Sequence, residues 1–360
     1  MPWANVGTAL AAVLLCGIYW VMPDLQPATL PFGVRVPPER ARDAAVLRVR
    51  RGYRWGLLLA GLAALGTGWA TFHRPADFGW TVAVLAAAEY LDFYLAFRRL
   101  GAVKRREGWY AGVRQGAAAV VETRPLRLAP WWGVPAAVVI LATLAVGLWR
   151  YPDLPPRLPV AFGLGGQPRH WLPTTPMHAF FPVLEQALLT ALLGGLAWVI
   201  LRVRQELDPS DPEGSAHRQR SFRRIMAAAT WLLAALGDVT LGIMALRSWG
   251  MLPGAAAAAA GAALFPSLMG GAGMTILAVR TGQGGSRLAA PAGSATGLVH
   301  RDDDRFWKGG VIYWNPHDAA VFVMKRFGVG WTLNFARPAA WLLLIGVLAL
   351  ALLPLAILRR

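Results

Sequence analysis

Residues 131–149 read WWGVPAAVVILATLAVGLW, an uncharged run that opens and closes on tryptophan. An apolar run of about 20 residues matches the hydrocarbon thickness of a bilayer. Backbone in lipid must satisfy its own hydrogen bonds, so such a run is helical. Working outward, seven further runs share this character, at 3–22, 55–72, 78–97, 178–201, 225–246, 254–279 and 341–358. None contains Lys or Arg, and several begin or end on Trp, as interfacial anchors do. The expected fold class is an all-α integral membrane helical bundle of about eight transmembrane helices.

Composition agrees. Of 360 residues, 56% are hydrophobic and 15% charged, with mean hydropathy +0.43, whereas soluble domains carry about 25% charged residues. A net charge of +17 would indicate a nucleic-acid partner in a soluble chain. Here the charge lies between apolar runs. The stretches 23–54, 98–130, 202–224 and 280–340 hold 29 of the 36 Lys and Arg, and the alternate stretches hold 7. Basic loops stay in the cytoplasm, which gives an N-out, C-out topology. The lipid bilayer is then the primary partner, and nucleic acid is not expected.

Cys16 is the only cysteine, which leaves no disulfide framework and no Cys-based metal site. The first run lacks a basic leader and a small-residue cleavage site, so it reads as a retained helix. Gly61, Gly66 and Gly68 in the second run, and Gly270, Gly271 and Gly273 in the seventh, are expected at close helix contacts. Pro266 should bend the seventh helix.

The outer stretch 151–171 reads YPDLPPRLPVAFGLGGQPRHW. Its prolines forbid a helix and favour extended backbone, and Gly163, Gly165 and Gly166 permit a tight turn. A short ordered structure is expected, either a stiff connector or a binding surface built on Pro155, Pro159, Phe162 and Trp171. Leu154, Pro155, Leu158, Pro159, Phe162, Gly166, Pro168 and Trp171 follow the pattern of a small domain of bacterial SdpI-like membrane proteins, which this loop and its two flanking helices resemble. Ala161 stands where that family usually has His, so a role for that imidazole does not carry over. The resemblance implies a bacterial cell (inner) membrane protein that protects against, or senses, a membrane-active peptide. It also implies a peptide partner outside and a regulatory protein partner inside.

Residues 302–338 read DDDRFWKGGVIYWNPHDAAVFVMKRFGVGWTLNFARP. Trp307, Lys308, Tyr313, Asn315, Asp318, Lys325, Arg326, Trp331 and Asn334 follow a second short bacterial signature, which the segment resembles. That resemblance implies architecture rather than a reaction. The residues alone show β-type alternation at Val311 and Tyr313 and at Val321 and Val323, separated by the turn signal Asn-Pro-His-Asp. Gly328 and Gly330 suit a second turn. Asp302, Asp303 and Asp304 could hold a divalent cation, but consecutive residues rarely converge on one ion, so a solvated acidic patch is preferred. Upstream, 281–299 reads as a flexible linker. In the first basic stretch, Phe32 to Glu39 holds a Gly-x-Arg-x-Pro element weakly resembling one in SdpI-like proteins. Ala44, Val46 and Leu47 among arginines suggest a helix lying on the anionic leaflet.

Glu89, Asp92, Glu185 and Asp238 fall inside apolar runs, where carboxylates face protein or water. Glu89 and Asp92 share a helix face and could share a proton or bind a cation. Asp92 could instead reach Arg98 or Arg99, and Asp238 could serve as an interhelical hydrogen-bonding group. An ion- or proton-coupled transporter is the alternative reading, although no internal repeat supports it. No phosphate loop, HExxH, nucleophile elbow or paired Cys is present. No enzyme activity, catalytic residue, cofactor or metal site is expected. The organisation reads as 1–130, a three-helix region with basic loops; 131–201, two helices around the proline-rich loop; 202–279, two helices; 280–340, a linker and a small β-containing cytoplasmic loop; and 341–360, a last helix.

Overall fold

The computed structural model describes residues 3–70, 78–116, 126–162, 167–252, 256–291 and 296–357. Among them are eight α-helices: α1 Trp3–Leu25, α2 Ala44–Ala70, α3 Phe78–Arg106, α4 Val134–Arg150, α5 Pro176–Arg202, α6 Pro212–Ser248, α7 Ala256–Thr281 and α8 Pro338–Ile357. Each contains most of one apolar run. Several continue past it, because Arg and Lys are good helix formers that carry their charge into water on long stems. Counted over the described residues, four helices are long and apolar enough to cross a membrane, at Pro130–Asp153, Pro176–Arg202, Pro212–Ser248 and Ala263–Gly285, and two shorter apolar helices lie at Val13–Leu25 and Pro338–Leu350. Over the described residues α2 and α3 are not among the four. Large apolar side chains point outward on these helices. Leu141 and Leu342 are 63% and 71% exposed, a surface that suits lipid rather than water.

The chain forms two compact units. The first comprises Met1–Val121, Arg204–Gln219 and Ala278–Ala340; the second comprises Glu122–Val203, Arg220–Leu277 and Trp341–Arg360.

In the first unit, α1, α2 and α3 pack together around a core of Phe32, Val34, Tyr53, Leu57, Phe93 and Leu100. Phe93 stacks on Phe327 with ring centroids 3.8 Å apart, and Phe32 meets Tyr53 edge-on at 5.1 Å. Ala45 and Val46 are buried in this core. The basic stretch after residue 43 is therefore the start of α2, continuous with the apolar run, and not a separate helix on the leaflet.

Short strands complete the unit. Gln115–Gly116 (β1) pairs in parallel with Val299–His300 (β4). Trp307–Lys308 (β5) pairs with Ile312–Tyr313 (β6), and Phe322–Met324 (β7) pairs with Trp331–Leu333 (β8), both antiparallel. The two alternating segments expected around Asn315 thus form strands, but each finds another partner. A bridge between Tyr313 and Asn334 links the two hairpins. Gly328 and Gly330 turn with φ of 91° and 104°, in the region that favours glycine. The stretch read as a linker is ordered at Gln283–Gly285, which is buried, and at β4.

In the second unit, α4 and α5 flank an antiparallel hairpin of Arg157–Phe162 (β2) and Pro168–Pro173 (β3). Pro159 is tolerated because a two-stranded ladder is all edge, and the register shifts between Pro159 and Ala161. Gly163, Leu164, Gly165 and Gly166, the expected turn, lie outside the described residues. Trp249 is buried and donates to the Ala179 carbonyl at 3.1 Å. A Cβ on Gly147 would collide with the Trp249 ring. Of the glycines expected at helix contacts, Gly61 faces Cys16 and Gly270 faces Leu233, while Gly66, Gly271 and Gly273 face open space. Helical periodicity sends neighbouring glycines to different faces, so only some can lie in a seam. The side chain of the Gly68 position lies outside the described residues.

Candidate functional site

The most elaborate polar construction is in the first unit, where the last basic loop meets the segment 32–36. Arg326 is almost fully buried. Its guanidinium pairs with Asp303 and Asp304, donates to the Gly33 carbonyl at 3.0 Å and lies over the Trp307 ring at 5.1 Å. Arg35 pairs with Glu206 and with Asp303, and its backbone N–H donates to Asp304 at 3.1 Å. Lys104, also buried, reaches Asp302 at 2.7 Å and Asp304 at 2.6 Å. The triple-aspartate stretch is thus neither a solvated patch nor a cation site. Its carboxylates are the counter-ions of three buried cations brought in from α3, the 32–36 segment and the β7–β8 turn. Burial works against ionisation of Asp303, but Arg326 and Arg35 outweigh it and hold its pKa down to about 2. His300 lies beside this network, and burial and Arg35 bring its pKa down to about 4 against the opposing pull of Glu206 and Asp208. A cavity of about 350 Å³ borders it, lined in part by Gln26, Arg35, Glu206, His300 and Lys325.

The motif residues of 307–334 mostly hold one another. Asn334 is fully buried; its amide donates to the carbonyls of Asn315 and Asp318, and its oxygen accepts from the N–H of Asn315 and Ala336. Tyr313 donates to Asp318 at 3.0 Å and accepts from Asn315 at 3.0 Å, and burial pushes its hydroxyl pKa up to about 12. Arg204 grips Asp318 through two bonds of 3.0 Å. Trp307 packs on Tyr313. Lys308 caps the Arg305 carbonyl at 3.1 Å and is exposed, as is Lys325. Trp331 is half-buried in β8.

Gln283 braces the turn end of β7–β8. Its amide donates to the carbonyls of Lys325 and Gly330 and accepts from Gly330 N–H at 2.7 Å, as a third strand would. Sequence reasoning missed Gln283, Arg35, Lys104 and Glu206. The Gly-x-Arg-x-Pro element around Arg35 was the one local signal.

On the hairpin of the second unit, Leu158 and Leu172 point inward and are buried. Pro159 is buried too, and its carbonyl accepts from Ser248 at 2.7 Å. The Phe162 ring lies under Arg247 at 4.4 Å. Pro155 is exposed, and its carbonyl accepts from Thr174. Trp171, opposite Pro159, is 48% exposed, beside exposed Arg169 and His170.

The intramembrane carboxylates divide between the units. In the first, Glu89 is fully buried beside the Cys16 thiol, which hydrogen-bonds to it, and Asp92 lies against Gly56. Of the two arginines expected to reach Asp92, Arg99 acts on its carboxylate through space, without an ion pair among the described residues. In the second, Asp238 is fully buried and accepts from Thr190 at 2.5 Å, while Gln186 joins the Asp238 carbonyl to Thr143 on α4. Asp238 therefore belongs to an interhelical hydrogen-bond network.

Two family models match. One, a domain of unknown function (DUF1648), covers residues 138–185, and the other, a family of unknown function (DUF5808), covers residues 316–341. The first is a domain found in SdpI-like membrane proteins and spans the hairpin with parts of α4 and α5. The second takes in β7, β8 and Asp318 to Asn334, while Trp307, Lys308, Tyr313 and Asn315 lie upstream of it. No curated protein and no solved structure matches the chain. The domain matches and the outward apolar helices make this a membrane protein.

Proposed function

We propose that this chain is a non-catalytic, SdpI-like protein of the bacterial cell membrane that protects against, or senses, a membrane-active peptide at its outer hairpin. In this reading all eight apolar runs cross the membrane, with both termini and the hairpin outside and the ion-pair module in the cytoplasm, where it offers a folded surface to a regulatory protein. The uneven division of Lys and Arg between alternate loops supports it. The observation that supports this best is the exposed Arg169–His170–Trp171 edge on a hairpin anchored through Pro159 to Ser248. A basic-aromatic edge suits an amphipathic peptide at the bilayer surface. The test is a deletion strain challenged with a panel of envelope-active peptides, then complemented with wild type or W171A. Hypersensitivity rescued by wild type but not W171A is expected; unchanged sensitivity across the panel would refute the reading.

Glu89, a carboxyl fully buried inside an apolar run, favours ion- or proton-coupled transport as a second reading. That reading requires pH- or cation-dependent uptake that E89Q abolishes, and normal uptake in E89Q would remove it.

A further inference from the structure

A second cavity, of about 660 Å³, opens beside the last turns of α3. Tyr94 and Phe97 line it together with Arg98, Arg105 and Arg305. The carboxylates in the wall, Asp302 and Asp304, are already held by Lys104, and Asp304 also by Arg326. The three arginines are exposed, and no described carboxylate lies within ion-pair distance of them.

The arginines converge by construction. Arg98 and Arg105 lie two turns apart on one face of α3, with Gly101 between them. A Cβ on Gly101 would meet Arg105 Nη1 at 3.5 Å, so the guanidinium lies back over the bare glycine. Arg98 sits over the Tyr94 ring at 5.9 Å. Arg305 enters from the opposite segment, its guanidinium over Phe306 at 4.7 Å. Guanidinium forks match the oxygens of a phosphate group, and a cavity lined by both guanidinium groups and aromatic rings matches a phosphate with an apolar tail.

We propose that this cavity binds a phosphate-bearing anion, presented by the headgroup of an anionic phospholipid. Its phosphate sits among Arg98, Arg105 and Arg305, and its glycerol and chain ends lie against Tyr94 and Phe97. The proposal rests on the membrane placement given above, with the basic loops against the anionic inner leaflet.

The test reconstitutes the full chain in nanodiscs of phosphatidylcholine with a minor fraction of cardiolipin and counts retained lipid by native mass spectrometry. Retained cardiolipin is expected to fall roughly tenfold in R98Q/R105Q/R305Q. It should fall similarly in G101L, which fills the cavity and keeps the charge. The control R42Q/R48Q/R51Q removes the same charge from exposed positions outside the cavity and should retain cardiolipin as wild type does. Displacement by inorganic phosphate from wild type but not from the triple variant would keep the phosphate site and reassign its source to a free anion. Equal retention in all four proteins would overturn the proposal. A chain that fails to enter nanodiscs at all would instead refute the membrane placement.

Discussion

Asn334 and Asn315 are bonded in both directions: the Asn315 N–H donates to Asn334 Oδ1 at 3.1 Å, and Asn334 Nδ2 donates to the Asn315 carbonyl at 2.9 Å. One buried side chain thereby fixes the turn after β6 to the end of β8. Replacing it leaves several buried backbone groups without partners, each costing about 1–3 kcal/mol. N334A should therefore lower stability by roughly 2–4 kcal/mol. Thermal unfolding of the purified chain, and accelerated proteolysis within 280–340, will report it.

Neighbouring cations should differ sharply. R326M takes one cation from Asp303 and Asp304, which keep Arg35 and Lys104. It should cost about 2–3 kcal/mol, less than the roughly 3–5 kcal/mol of a fully buried pair that loses its sole partner. K325M changes an exposed residue and should stay within about 0.5 kcal/mol of wild type. Adding D303N to R326M should recover part of the loss. Chemical or thermal unfolding of the four proteins measures all three comparisons.

Acid should weaken the same module in two stages. His300, held down to about 4, is neutral in the fold, while an unfolded His takes its proton near pH 6.5. Its contribution is present above that value and is lost as pH falls toward 4. Asp303, held down to about 2, contributes stability above the ordinary carboxylate pKa that is lost as pH falls toward 2, about 2 kcal/mol in all. H300N should flatten the stability profile between pH 6.5 and 4 and leave the lower limb. Melting temperatures across that range check the sign and the window.

The hairpin separates anchoring from contact. S248A removes the bond to the Pro159 carbonyl and should cost about 1 kcal/mol. W171A truncates a half-exposed ring and should leave the melting temperature almost unchanged while altering whatever the hairpin touches. Protease sensitivity of 151–173 distinguishes the two variants.

Much of this was legible in the sequence, and the boundary is physical. Apolar runs such as 131–149 announce helices because lipid leaves the backbone no other partner. Gly328 and Gly330 announced their turn because positive φ favours glycine. The prolines of 155–159 announced extended backbone, yet not the hairpin, since register depends on what Leu158 and Leu172 pack against. The ion network was not legible. Arg35 and Asp304 lie 269 positions apart, and composition counts their charges without pairing them. Reading 281–299 as a linker passed over Gln283 for a similar reason. Gln283 is polar by composition, but its amide is spent on the β7–β8 backbone.

The central claim, that the hairpin and the ion-pair module face opposite sides of a cell membrane, is tested most directly by cysteine labelling. In a C16S background, R169C and R305C place thiols at exposed positions on the hairpin and the module. A membrane-impermeant maleimide applied to intact cells should label R169C and leave R305C unmodified until the membrane is permeabilised. Equal labelling of both positions in intact cells, or of R305C alone, would contradict the account.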